Sequence, residues 1–407
     1  MTSKVYFTDF CTNNAESLPQ KLARLAMAAG MGEIDFEGKY VAIKIHFGEK
    51  GNMAYLRPGY ARAIVDLIKD MGGKPFLTDA NTLYVGSRKN ALDHLETAYQ
   101  NGFMPYATGC HVIIADGLKG TDEVLVSVAG GEYVKEAKIG RAVMDADIVI
   151  SLNHFKGHEA TGFGGALKNL GMGCGSFEGK KEMHNTCQPV VDEDSCVGCG
   201  VCAESCAHGA PILQDDGKMR IDLNKCAGCG RCIGQCPVEA IHSSDSRSNE
   251  LLCYKIAEYT KAVLDGRPHF HISLVRSVSP FCDCYNNNDL PIVPDVGMFA
   301  SFDPVALDMA CVDAVNAQQP IPGTAACECG CHEHHDEQDH FLHMHPDTCW
   351  MSALEHGEKL GIGTREYELI KISRREKPCV RSRRLPLPAP VLWVLPWHRP
   401  LPSLATM

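Results

Sequence analysis

The chain has 407 residues, 45% of them hydrophobic and 22% charged, with a formal net charge of −11. That length admits two or three domains around a large core, and the balance is that of an ordinary globular protein rather than a disordered or fibrous one. The acidic excess repels phosphate backbones and argues against nucleic acid as a partner; the opening Met1-Thr2-Ser3-Lys4-Val5-Tyr6-Phe7 has no apolar signal core and no run is long enough to span a bilayer, so the expected compartment is the cytoplasm, with no membrane partner.

Short apolar runs alternate with helical patterns from the start. Residues 4–7 read as a strand, and 18–29 carry apolar residues at helical spacing. Along 40–47, Val41, Ile43, Ile45 and Phe47 share one face while Ala42, Lys44 and His46 share the other, the period of a strand. Residues 58–71 predict a helix with Pro58 in its first turn and Gly72-Gly73 after its end. A strand at 74–78, a helix at 88–100 and buried strands at 111–115 and 147–152 follow. Strand–helix alternation of this kind predicts an α/β fold, a mainly parallel sheet with helices on both faces.

In such a sheet ligands bind beyond the carboxyl ends of the strands. Three predicted strands end in polar residues: Lys44 and His46; Thr78-Asp79-Ala80-Asn81; and Asn153-His154-Phe155-Lys156-Gly157-His158. In an extended chain His154, Lys156 and His158 point the same way. His46, Asp79, His154, Lys156 and His158 are therefore candidate catalytic residues, able to bind a metal, an anion or a carbonyl substrate. The alternative is an edge of solvated loops with hydrogen-bonded histidines. Next, Gly162, Gly164 and Gly165 precede a helical pattern containing Lys168, an arrangement that can expose N–H groups to an anionic cofactor. The third glycine of the dinucleotide fingerprint is missing, and close helix–strand packing explains the glycines equally. Cys174 and His184 are further contact candidates.

Residues 196–237 then interrupt the alternation. They read C-x2-C-x2-C-x3-C twice, as Cys196, Cys199, Cys202, Cys206 and, thirty residues on, Cys226, Cys229, Cys232, Cys236. Thiolates are soft ligands, and this spacing wraps a loop around an iron–sulfur cubane. The fourth cysteine of each quartet reaches the other cluster, which assigns Cys196, Cys199, Cys202 and Cys236 to one [4Fe–4S] cluster and Cys226, Cys229, Cys232 and Cys206 to a second. Zinc sites usually need only two C-x2-C knuckles. The stretch resembles the bacterial two-cluster ferredoxins. Pro237 follows the second quartet as in that family; Ala207-His208 stands where the first would have its proline. Of 21 cysteines, those outside the quartets would pair or oxidise in an oxidising compartment, another reason to expect the cytoplasm.

After the quartets the alternation resumes, with a helix at 249–264, a strand at 269–275 and a helix at 304–317 capped by Asp303. The expected division is an α/β domain in two parts, 1–191 and 247–372, with a ferredoxin module at 192–246 inserted between them. Cys282-Asp283-Cys284 is a soft-metal candidate or a pair of reduced thiols. Residues 327–345 form a Cys/His-rich insert with donors for an additional divalent metal. The tail, 373–407, is arginine- and proline-rich, has no periodicity and is expected to be disordered.

Several stretches together resemble the uncharacterised iron–sulfur centre proteins catalogued as domain of unknown function 362. They are Lys44-Ile45-His46-Phe47-Gly48-Glu49, Ser151 to His158, Gly162 to Gly173, Cys282-Asp283-Cys284 and Phe302-Asp303-Pro304-Val305-Ala306-Leu307-Asp308. The resemblance implies an α/β domain carrying an inserted ferredoxin module and no settled reaction. Three readings follow. The first is a redox enzyme acting on a small-molecule substrate in the crevice. The second is an electron carrier or iron–sulfur scaffold that serves a redox partner protein. The third is a metal-handling protein that uses the Cys/His-rich insert.

Overall fold

Period-two alternation sorts the strand side chains into two cores, one on each face of a central sheet. In Tyr40–Lys44, Val41 and Ile43 enter one core while Ala42, also fully buried, faces the other way. In Ile148–His154, Ile148, Ile150 and Leu152 join Val41 and Ile43, and Val149 enters the opposite core. A strand apolar on both faces must be covered on both, so helices lie above and below. The computed structural model describes residues 2–186, 188–327 and 339–373. Most of the Cys/His-rich stretch and all but the first residue of the tail fall outside the described residues.

The principal strands are Ser3–Thr8 (β1), Tyr40–Lys44 (β2), Lys74–Asp79 (β3), Val112–Ile114 (β4), Ile148–His154 (β5), His269–Val275 (β6), Gly297–Ser301 (β7) and Tyr367–Lys371 (β8). They form one eight-stranded sheet in the order β8-β1-β7-β6-β5-β2-β3-β4. All neighbours are parallel except β7, which runs antiparallel to both β1 and β6. The α/β architecture read from the alternation is the one present. Leu18–Ala28 (α1) and Pro58–Asp70 (α2) cover one face. Ala166–Cys174 (α3), Ser248–Leu264 (α4) and Pro304–Asn316 (α5) cover the other. In α4 most residues are buried, so it is packed from several sides.

Some expectations change. The helix placed at 88–100 begins at Ala91, because the Asn90 side chain caps it by accepting from Leu92 N and Asp93 N. Arg88 is thereby left out of the helix and turns inward, 1% exposed. The strand placed at 40–47 leaves the ladder after Lys44, and Gly48 N donates to His46 Nδ1 in the turn that follows. Strand β7 escapes the pattern because it starts at Gly297. A Cβ there would stand 2.4 Å from the Phe7 ring and 2.6 Å from Thr8 O, so the close approach of β1 demands glycine.

The cysteine-quartet segment stands outside the large sheet. Pro189–Val191 pairs antiparallel with Ile241–Ser243, and Pro211–Leu213 with Met219–Ile221. Two short helices, Val201–Glu204 and Arg231–Gly234, each follow a left-handed glycine. Among the described residues no helix is long and apolar enough to cross a membrane.

His271 on β6 is fully buried, with Ser151 Oγ 2.9 Å from Nδ1 and His269 Nδ1 2.9 Å from Nε2. Burial first, and His269 second, holds its pKa well below the ordinary histidine value. Below about pH 6.5 the unfolded chain takes up a proton here that the native ring refuses. This stability is complete above that pH and declines as pH falls, by up to about 1.4 kcal/mol per pH unit. Anaerobic denaturant unfolding between pH 7.5 and 5.5 should therefore show a shallower acid loss for His271→Asn than for the natural chain.

Candidate functional site

Strands β5, β2 and β3 are neighbours, so their carboxyl ends bring separate polar residues to one place. Lys44 Nζ stands 2.9 Å from Asp79 Oδ1 and donates to Asn169 Oδ1 at 2.9 Å. Arg88 Nη1 lies 3.5 Å from Asp79 Oδ2, and its Nε donates to Glu49 Oε2 at 3.1 Å. Burial alone would raise the Asp79 pKa; Lys44 and His94 outweigh it and hold the carboxyl well below the usual range. These charges form the floor of a cavity of about 670 Å³.

Of the residues singled out above, Lys44, His46, Asp79, Lys156, His158, Gly164, Gly165, Lys168 and His184 line the cavity. His154 and Gly162 do not. The extended geometry expected for His154, Lys156 and His158 is broken, because β5 ends at His154 and Lys156–His158 forms a separate ribbon with Gly162–Gly164. Both nitrogens of His154 are spent inside the protein: Nδ1 is 2.8 Å from Asp283 Oδ2, and Nε2 is 2.8 Å from the Arg276 carbonyl. Cys174, the last residue of α3, is buried in the core.

The glycine-rich helix start also differs from expectation. Ala166 N and Leu167 N donate to Asp308 Oδ1 and Oδ2 at 2.7 and 2.9 Å. An internal carboxylate already occupies the place where an outside anion would sit. Burial raises the Asp308 pKa to about 7 against the pull of those N–H groups. Gly165 is required by this contact, since a Cβ there would fall 2.2 Å from Asp308 Oδ1. Gly162, at φ +71°, packs against Trp350. Lys168 alone of this group offers its charge to the cavity, and its Nζ donates to Cys282 Sγ at 3.5 Å.

Sequence reading missed several lining residues. Arg88, Tyr84, Glu159 and Tyr285 carry no periodic signal and arrive from loops. Cys282 and Cys284 line the wall with His158, and a ligand atom from each of the three lies within 4.8 Å of the others. A hydrogen bond from Cys284, with Lys168 and Lys156 nearby, outweighs burial and lowers the Cys282 pKa well below the ordinary thiol value. The Cys284 pKa moves the other way, raised by its hydrogen bond with Cys282 and by burial.

The second quartet also contributes to the lining, through Cys229, Gly230 and Arg231. The quartets share one backbone design. Gly198 and Gly228 have φ +65° and +71°, and Gly200 and Gly230 have φ +81° and +69°. These left-handed turns carry the C-x2-C-x2-C steps, and backbone N–H groups reach the sulfurs: Gly228 N to Cys226 Sγ at 3.3 Å, Ala210 N to Cys206 Sγ at 3.5 Å and Ala240 N to Cys236 Sγ at 3.3 Å. Cys236 packs in the small core that contains Cys196 and Cys202. Cys206 lies close enough to Cys226 and Cys229 to act on their ionisation. Cys232 packs against that core too. Eight thiols on two like loops, three of them met by backbone N–H donors, are a donor set that suits iron–sulfur ligation.

The segment that departs from the ferredoxin proline docks this module on the crevice. His208 Nε2 is 3.0 Å from the Leu83 carbonyl, and Lys89 Nζ donates to the Ala207 carbonyl at 3.2 Å. The Arg231 guanidinium lies 4.0 Å from the Tyr285 ring centroid and 5.2 Å from that of Tyr84.

Gly165→Ala should push the Asp308 carboxylate off the helix start and cost about 1–3 kcal/mol. In anaerobic unfolding, Asp308→Ala should cost a similar amount. The double variant should cost less than the sum, the mark of one shared contact.

The thylakoid-associated protein sll1697 of Synechocystis sp. (strain ATCC 27184 / PCC 6803 / Kazusa) is 27% identical over 154 residues, 36% of this chain and 42% of that protein. A ferredoxin of Pyrobaculum islandicum is 36% identical over 61 residues, 15% of this chain and 57% of that one. The chain thus spans about half the length of the curated relatives it matches. Among solved structures, the lactate racemase apoprotein of Thermoanaerobacterium thermosaccharolyticum aligns over 92% of this chain and 84% of its own, at 12% identity and TM-score 0.34. A Thermotoga maritima protein aligns over 63% and 49%, also at 12% identity and TM-score 0.34. Residues 41–313, well over half of the chain, match the family described as Domain of unknown function (DUF362), and the chain belongs to that family.

Proposed function

We propose that the protein binds two [4Fe–4S] clusters and passes electrons to or from a small substrate held in the crevice. Cys196, Cys199, Cys202 and Cys236 would hold one cluster, and Cys226, Cys229, Cys232 and Cys206 the other. Such clusters, when bound, supply one-electron transfer. The observation that carries the reading is the shared wall: Cys229 lines the same cavity as Lys156, His158 and Lys168. Cys199 of the first quartet is exposed. Cys196 and Cys202 beside it are buried, so Cys199 is the point of the first quartet that a redox partner protein would approach, while Cys229 of the second meets the crevice. The likeness to a ferredoxin over 61 residues supports the same reading.

The crevice residues have distinct tasks under this proposal. Lys156 and Lys168 present ammonium groups to an anionic or carbonyl-bearing substrate. The Lys44–Asp79–Arg88 network fixes the floor and keeps Asp79 ionised. His158, buried and held well below the ordinary histidine value by its burial and by Lys168, presents a neutral imidazole to the crevice as a hydrogen-bonding or ligating group. The Arg231 side chain lies against Tyr285 between the second quartet and the pocket.

Anaerobically purified protein should contain about eight iron atoms per chain and give a dithionite-reduced EPR signal. Small carboxylate and carbonyl compounds, screened against that signal, should include at least one that perturbs it. Lys156→Ala should abolish the perturbation at unchanged iron content. Iron content near half that level would remove the second cluster. If no small molecule perturbs the signal, while a partner protein still reduces the clusters, the protein is a carrier without a substrate.

A further inference from the structure

Three side chains in the crevice wall are left over from this account: Cys282, Cys284 and Glu159. We infer that Cys282, Cys284 and His158 bind a zinc-class divalent cation, with Glu159 as the carboxylate that orients His158. The inference rests on the crevice being the working site. It does not depend on how many clusters the quartets hold.

The donor set comes first. One ligand atom from each of the three residues already lies within 4.8 Å of the other two. In a tetrahedral zinc site, with Zn–S about 2.3 Å and Zn–N about 2.0–2.1 Å, ligand atoms stand roughly 3.5–4 Å apart. Modest closure of the present arrangement would suffice. Two thiolates and an imidazole are soft and borderline donors, the chemistry that selects zinc over magnesium or calcium. All three residues line the cavity. A fourth position would therefore open to the crevice, as in zinc sites that act on a substrate. Lys168 Nζ, donating to Cys282 Sγ at 3.5 Å, offsets part of the thiolate charge.

The second observation is independent of the sulfurs. Glu159 Oε2 is buried and has no hydrogen-bond partner, yet it stands 3.8 Å from His158 Nδ1. A buried carboxylate oxygen left unpaired is costly. As the ring now sits, Nδ1 accepts from Ala160 N and Thr161 N at 3.1 and 3.2 Å, so the proton of the neutral ring is on Nε2. A cation bound at Nε2 requires the ring's single proton to move from Nε2 to Nδ1, which must then find an acceptor. Glu159 Oε2 is in place for that role. The two backbone contacts would yield, and the orphaned oxygen would gain its partner. Glu159 cannot swing far, because its Oε1 accepts from Tyr285 OH at 2.8 Å. The same tyrosine ring lies under Arg231 of the quartet segment.

The test uses the full chain, purified without oxygen and supplied with Zn²⁺. After gel filtration, zinc and iron are measured together. The natural chain should retain about one zinc per chain beyond its iron, and Zn K-edge absorption should report two sulfurs and one nitrogen. The Cys282→Ser, Cys284→Ser double variant should lose that zinc at unchanged iron content. Glu159→Ala should weaken zinc about 10–100-fold in competition with a chelating dye, with Glu159→Gln restoring part of the loss. Equal zinc in the natural chain and the double variant would overturn the inference and place the metal elsewhere, for instance on the histidines between 327 and 345. No retained zinc in iron-replete protein would overturn it too. A zinc-loaded chain with little iron would instead count against the two-cluster proposal.

Discussion

A buried knot of charge at the ends of β2 and β3 is what the crevice depends on. Lys44 and Arg88 are each 1% exposed, and both lean on Asp79. Charges this deep persist only when paired, because desolvation costs several kcal/mol per ion. Asp79 answers two cations and His94 with one carboxylate, and Glu49 pairs with Arg88 Nε. The count of charges nearly closes, but the hydrogen bonding does not: Asp79 Oδ2 has no hydrogen-bond partner although it is buried. A polar floor with unused acceptor capacity is what a binding cavity needs and what a packed core avoids.

That floor also explains where the cysteine segment sits. Arg88 donates to Tyr84 OH at 2.9 Å, and the same Tyr84 ring receives Arg231 from the second quartet. Leu83, one residue earlier, accepts His208 from the first. A single loop between β3 and the helix at Ala91–Gln100 thus ties the floor to both quartets. The loss of the usual proline after Cys206 acquires a physical reading: Ala207 offers its carbonyl to Lys89, and His208 offers its ring nitrogen to the loop.

Much of this was open to reading, and the rest fails for definite reasons. Residues whose signal is local were legible. The alternation in 40–47 and the apolar runs at 111–115 and 147–152 pointed to the sheet, Asp303 before Pro304 to a helix start, and the cysteine spacing to two like loops. Residues whose role depends on distant partners were not. Nothing near His154 announces that Asp283 and the Arg276 carbonyl will consume both its nitrogens. Nothing near Gly165 announces Asp308, although Asp308 belongs to the stretch Phe302 to Asp308 on which the family resemblance rests. Arg88 misled because a basic residue before a helical pattern looks like part of it, whereas Asn90 is the cap. Strand β7 was invisible because contact with Phe7 imposes glycine at its first position.

The two halves of the glycine-rich stretch show how one sequence feature can serve opposite ends. Gly165 lets an internal carboxylate seal the N-terminus of α3, removing the most obvious anion site from the crevice. Lys168, one turn on, is then not needed at that terminus and points instead at Cys282. Were the terminus open, Lys168 and the N–H groups would converge on one anion and Cys282 would lose its ammonium neighbour. With it closed, the positive charge is directed to Cys282 in a cavity that Cys229 also lines. Asp308 therefore closes the helix start that an anion in the crevice could otherwise use, without lining the crevice itself.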